Sequence, residues 1–180
     1  MKKIISAILM LSVCITLALG LSSCDNSEEA QMGFKIISTD VNDFSLQVPE
    51  DWTVTSQNGY VSATAVGEAG DESNISVMST ALKNAETTAE SYFDEVLESY
   101  RGLYDNVVIE GEDIETELGE RNARKYVFTA DLLGVTYRFE QIVCIYGGRA
   151  YLFTYTSTPD FYSIHATEVE YIVKYFAFKV

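Results

Sequence analysis

A nucleophilic hydrolase needs a nucleophile, a base and an orienting group within hydrogen-bond reach, and the chain offers a single histidine as base. That residue, His165, sits between Ile164 and Ala166 with no serine or cysteine motif beside it, which predicts a partly packed helix histidine. No Gly-x-Ser-x-Gly elbow, phosphate loop, dinucleotide fingerprint or His-Glu-x-x-His zinc motif occurs. Carboxylates are abundant instead. Between Glu110 and Glu120, alternation about Ile114 and Leu118 puts Glu115 and Glu117 on one strand face. Paired carboxylates can serve general acid–base chemistry, but a solvated strand face is the expectation here.

Hard cations such as calcium take several carboxylate and carbonyl oxygens from loops. Two segments could supply them: Asp40, Asn42 and Asp43, and Glu68, Asp71, Glu72 and Asn74. Neither has EF-hand spacing, and turn formation by Asp and Asn accounts for both. They stand as weak metal candidates, and no cofactor is expected. Cys144, inside Gln141–Tyr146, reads as a buried strand residue rather than a nucleophile. Tyr151, Phe153 and Tyr155 share a strand face, Tyr137 and Phe139 on the preceding strand are expected beside them, and Tyr171, Tyr175, Phe176 and Phe178 crowd the end of the chain. Such stripes either line a pocket for an apolar or sugar-like ligand or form the core beneath helices, and core is expected.

The N-terminal stretch carries a different chemistry. Lys2 and Lys3 precede an apolar run from Ile4 to Leu21 broken only by small residues, the pattern of a secretion signal. It ends in Leu21-Ser22-Ser23-Cys24, which resembles the lipobox of bacterial lipoproteins. The resemblance implies a diacylglycerol on the Cys24 thiol and cleavage just before it. Two acyl chains hold a protein on a membrane persistently, where one holds it marginally. The alternatives are an uncleaved membrane-spanning helix, since the run nearly reaches the roughly 17 to 25 residues required, and a disulfide from Cys24 to Cys144, which lipidation would exclude.

Removing residues 1–23 leaves 157 of 180 residues, enough for a single domain with a substantial core. It also removes two lysines, so 10 basic side chains face 27 acidic ones, a formal charge of −17. A polyanion of this kind repels nucleic acid, and no nucleic-acid partner is expected. The charge serves solubility or recognition of a cationic partner. Residues 24–33, polar and without periodicity, suit a flexible acidic tether, and the domain is expected over 34–180.

Within that domain Phe44, Leu46 and Val48 alternate with polar neighbours up to Pro49, and Trp52 with Val54 begins the next extended piece. Strands are expected over Tyr60–Val66 and Ile75–Leu82. After Thr87 or Thr88 as N-cap, Ala89, Phe93, Val96 and Tyr100 fall on a helical period that ends near Arg101 and Gly102. Further strands are read at Val107–Ile109, Ile114–Leu118, Arg124–Asp131, Val135–Tyr146 and Ala150–Ser157. Gly134 and the tight Gly147-Gly148 turn mark reversals. Thr158-Pro159-Asp160 looks like the start of a second helix carrying Phe161, Ile164, Val169, Ile172 and Val173. A last strand is expected over Tyr175–Val180. The pattern is α+β, with an antiparallel sheet beneath two helices.

Three pieces together carry a family resemblance: Phe44-Ser-Leu-Gln-Val-Pro49-Glu-Asp-Trp52, the hairpin Gln141–Tyr155 and the closing Phe161–Phe178 segment. They resemble the PsbP-like proteins. The resemblance implies an α/β/α sandwich with a central antiparallel sheet, and a role in binding a protein partner or accompanying a larger complex, with no shared catalytic set to transfer. The expected function is therefore a membrane-anchored, non-catalytic binding or accessory module outside the cytoplasmic membrane. Its partners would be the membrane, through Cys24, and a cell-envelope protein. A small-molecule or divalent-metal carrier is the first rival, and a cell-envelope hydrolase the second.

Overall fold

The computed structural model describes residues 30–39, 42–57 and 59–179. Among the described residues, eleven strands and two helices follow one another as β1 (Phe34–Ser38), β2 (Phe44–Pro49), β3 (Thr53–Gln57), β4 (Tyr60–Thr64), β5 (Asn74–Ala81), α1 (Ala89–Arg101), β6 (Asp105–Ile109), β7 (Ile114–Leu118), β8 (Arg121–Leu132), β9 (Val135–Tyr146), β10 (Arg149–Ser157), α2 (Ala166–Lys174) and β11 (Ala177–Phe178). The strands form two antiparallel sheets. The larger runs β3-β4-β5-β10-β9-β8-β6, with β7 also paired to the long β8, and the smaller runs β1-β2-β11.

Period-2 alternation divides the large sheet between two cores. Ile142 and Cys144 of β9 and Tyr151, Phe153 and Tyr155 of β10 face the small sheet, where Phe44, Leu46, Val48, Trp52 and the α2 residues Val169 and Ile172 meet them. Tyr126 and Phe128 of β8, Phe139 and Val143 of β9 and Leu152 of β10 face α1, which buries Phe93, Val96, Leu97 and Tyr100 against them. The α+β expectation holds: one helix covers one face of a central antiparallel sheet, and the other helix, joined by the small sheet, covers the opposite face.

Helix α1 begins where its sequence dictates. The Thr88 side chain accepts a hydrogen bond from Ser91 N, the Ser91 hydroxyl accepts one from Thr88 N at 3.0 Å, and Gly102 caps the far end. Helix α2 departs from expectation. The segment after Pro159 forms turns, with the Phe161 and Tyr162 amides both donating to the Thr158 carbonyl, and the helix starts only at Ala166. The closing strand is likewise only Ala177–Phe178, paired to β2. Strand β1, paired along its length with β2, was not anticipated.

The aromatic stripes also need correcting. Tyr151, Phe153 and Tyr155 are core, but Tyr137 and Phe139 are not beside them. Phe139 lies on the opposite sheet face, stacked on Phe128 with centroids 4.8 Å apart and packed by Tyr104.

Candidate functional site

Cys24 and Asp40, the proposed lipid attachment point and one weak metal candidate, lie outside the described residues. Asp43 follows the loop from β1 and pairs with Arg149 at the β9–β10 turn, while its Oδ2 also accepts from the Ser79 hydroxyl at 2.9 Å. Its backbone carbonyl accepts from Lys179 N at 2.8 Å. The carboxylate thus joins three segments distant in sequence.

The Glu68–Asn74 loop is organised by its acids in the same way. Glu68 contributes its carbonyl to a turn that receives Asp71 N at 3.0 Å. Asp71 turns inward, with a side chain only 3% exposed, accepting from Ser73 N at 2.9 Å and pairing with His165 Nε2 at 2.7 Å. Burial raises the pKa of this carboxyl, but hydrogen bonds from Ser73 and His165 outweigh it and leave the value below the ordinary range. Glu72 accepts from the Tyr137 hydroxyl at 2.8 Å. Burial, reinforced by Glu72, pushes the Tyr137 phenol up to about 12. Among the described residues, no group of three or more His, Cys, Asp or Glu side chains is placed to hold a metal ion.

His165 is therefore more than a packed helix residue. It stands at the N-cap position of α2 without capping it, its ring edge-on to Trp52 at 5.4 Å and its Nε2 on Asp71. The pair fastens the β4–β5 loop to the start of α2. Close by, the buried hydroxyls of Ser73 and Ser157 meet at 2.7 Å, and Tyr155 donates to the Tyr162 carbonyl at 2.9 Å. Sequence reasoning missed this cluster because its members come from separate segments: the β2–β3 turn, the β4–β5 loop, strand β10 and the turns before α2. Cys144 is fully buried in the core facing the small sheet, and burial lifts its thiol to about 11, far from a reactive thiolate. Glu115 and Glu117 share a face of β7 as expected, opposite Arg124 and Asn122, and Glu115 lies 3.5 Å from Arg124.

A concave surface lies between α2 and the sheet, a cleft of about 300 Å³ whose lining includes Lys125, Glu140, Ile142, Glu170, Val173 and Lys174. Glu140 at its floor accepts from the Tyr162 hydroxyl at 2.9 Å and lies 3.7 Å from Lys125. The Arg138 guanidinium covers the Tyr162 ring at 4.0 Å. At about 300 Å³ the cleft is at the small end for a ligand site, and its lining is mixed in charge.

The antiparallel sheets with two helices make an α+β fold that matches solved PsbP-like structures. The solved structure of cyanobacterial PsbP (CyanoP) from Synechocystis sp. PCC 6803 has this architecture. At 12% identity it matches 88% of this chain and 98% of its own, with a TM-score of 0.61. PA94 of Pseudomonas aeruginosa, a protein of unknown function, aligns over 78% of this chain and 94% of its own at 10% identity and TM-score 0.56. LpqN of Mycobacterium tuberculosis, involved in cell envelope biogenesis, aligns over 79% and 90% at 14% identity and TM-score 0.50. No family model and no curated protein matches the chain by sequence. At these identities the likeness concerns the fold. Among the described residues, no helix is long and apolar enough to cross a membrane.

Proposed function

We propose that the chain is a lipoprotein cleaved before Cys24 and held on the outer face of the cytoplasmic membrane. Its domain acts as a non-catalytic binding or accessory module for a cell-envelope protein. The observation that carries the non-catalytic part is the engagement of the chemistry-bearing side chains. His165 has Nε2 on Asp71 and Nδ1 buried, so no ring nitrogen is open to a substrate, while Glu72 is engaged by Tyr137, Asp43 by Arg149 and Ser79, and Cys144 is sealed in the core. Likeness to LpqN, itself involved in cell envelope biogenesis, is compatible with an envelope setting. The lipobox supports the anchor.

The test is chemical cross-linking of the full chain in its own membrane, followed by purification and mass spectrometry. One recurrent protein neighbour at near-stoichiometric yield is the expected result. The reading fails if the purified protein turns over a defined substrate and a point substitution abolishes turnover without lowering the melting temperature. Stabilisation by calcium alone, about 2.7 kcal/mol at a hundredfold excess over Kd, would favour the carrier instead.

A further inference from the structure

Among the described residues, the β8–β9 hairpin is the longest, and it overhangs its neighbour. Strand β9 pairs with β10 only from Arg138 onward, so residues 135–137 run past the end of β10 to a two-residue turn, Leu133-Gly134. Both turn residues have positive φ, +52° and +84°, the sign pattern of a type I′ turn, whose first position favours Asn, Asp or Gly. Leucine there is unfavourable on two counts. Its backbone occupies the left-handed region that a non-glycine side chain resists, and its side chain is 98% exposed, burying nothing within the chain. Val135 beside it is 44% exposed, and Val108 on the adjoining β6 is 56% exposed.

The base of this apolar tip is rigidly braced. Asp131 Oδ1 accepts from the Thr136 hydroxyl at 2.6 Å, and Oδ2 accepts from Asn106 Nδ2 at 2.7 Å. Asn106 itself adopts a positive φ of +50° at an irregularity in the β6–β8 pairing. Those two hydrogen bonds hold the Asp131 carboxyl below its ordinary pKa, so it stays charged at neutral pH. Asp105 lies opposite Asp131 in register, and no lysine or arginine occurs in residues 103–110 or 129–137.

We infer that the Leu133-Gly134 tip is a preorganised docking knob. Leu133 enters an apolar pocket on a protein partner, and Asp105 and Asp131 meet basic side chains at the pocket rim. A backbone already held in a hydrogen-bonded hairpin loses little freedom on binding, which favours affinity, and opposite charges at the rim steer the encounter. A lipid surface fits less well: the tip has no basic residue, its nearest aromatics, Tyr104 and Tyr137, are half-buried against the core rather than projecting with Leu133, and its acids repel anionic lipid. The inference rests on the reading of the domain as a protein-binding module and names the surface it uses.

The experiment places a photoreactive benzoylphenylalanine, one position at a time, at Leu133, Val135, Ser56 of β3 and Glu95 of α1 in the full-length lipidated chain within its native membrane. Positions 133 and 135 are expected to cross-link to one protein, with the attachment mapped to an apolar pocket flanked by Lys or Arg. With the probe at 135, Leu133→Asn is expected to lower the yield at least about tenfold while the melting temperature stays equal or rises. Cross-links from 56 or 95 but none from 133 or 135 would overturn the knob and leave the partner reading standing. No cross-link from any position would overturn both. Capture of lipid at 133, or sedimentation of the protein without its acyl anchor on phosphatidylcholine vesicles with or without phosphatidylglycerol, would replace the protein pocket with a membrane. A lower melting temperature for Leu133→Asn would mean the leucine serves the fold, and would end the proposal.

Discussion

Asp71 shows how one carboxylate can set the acid limit of this domain. Its folded-state pKa lies below the unfolded value because Ser73 and His165 hydrogen-bond the ionised form against the opposing effect of burial. Its contribution is therefore fully present above the unfolded pKa of about 3.9 and is lost as pH falls through the folded value. Asp71→Asn removes both the charge and that dependence. Thermal melts from neutral pH down to about pH 2.5 should show the variant less stable than the parent at pH 7, with the gap closing as the pH drops below about 4. A gap that is constant across the range would assign Asp71 no part in the acid limit. The importance of this residue was not legible in the sequence, where Asp71 read as one acid in a turn-rich loop and His165 as a residue on a helix face. Their contact spans 94 positions, and local spacing carries no information about it. Cys144 was legible as buried, because the unbroken apolar run Ile142 to Ile145 marks a strand covered on both faces whatever the tertiary partners are.

At the level of elements, the period of α1 and its N-terminal threonine anticipated its start, its end and its buried face, since capping and amphipathicity are local. Helix α2 was misplaced because Pro159 and Asp160 carry the composition of a helix start. The segment instead stays in turns, with Tyr162 held by a hydrogen bond from Tyr155 to its carbonyl and another from its own hydroxyl to Glu140. Those partners lie on other strands, so tertiary contacts override the local signal. The position of α2 depends in turn on Gly119, in the β7–β8 turn. Its N–H donates to the Val173 carbonyl at 2.8 Å, its φ is +58°, and a methyl group there would collide with the Phe176 carbonyl oxygen. Gly134, also at positive φ, has open space around its Cα. In urea unfolding, Gly134→Ala should cost about 1–2 kcal/mol, the backbone penalty alone. Gly119→Ala should cost at least about 2 kcal/mol more, because the collision displaces backbone. Equal losses would mean that the turn and the end of α2 are not locked together.

For the whole molecule, two cores share one sheet, and the surface around them is strongly acidic, at −17 once residues 1–23 are removed. That balance makes an anionic lipid surface unfavourable for the domain, so under the proposed function it is the N-terminal anchor, not the domain's surface, that would hold the protein at a membrane. Nine residues, 25–33, lie between the proposed lipid-bearing Cys24 and β1, a reach of about 35 Å at full extension, which under that proposal would hold the domain near the bilayer. Fold class was open to sequence reasoning because alternation and turn chemistry recur across the whole chain. A partner was not, because the surface features that select one, such as an exposed leucine at a braced turn, stand out only once burial and φ are known. The anchor is tested by intact mass. Protein extracted from its native membrane should weigh residues 24–180 plus acyl chains. Cys24→Ala should remain uncleaved at full length or appear unacylated in the soluble fraction. An unmodified full-length parent chain would leave the apolar N-terminal run as the anchor and make Cys24 an ordinary thiol, while the domain's fold and its hairpin tip would stand unchanged.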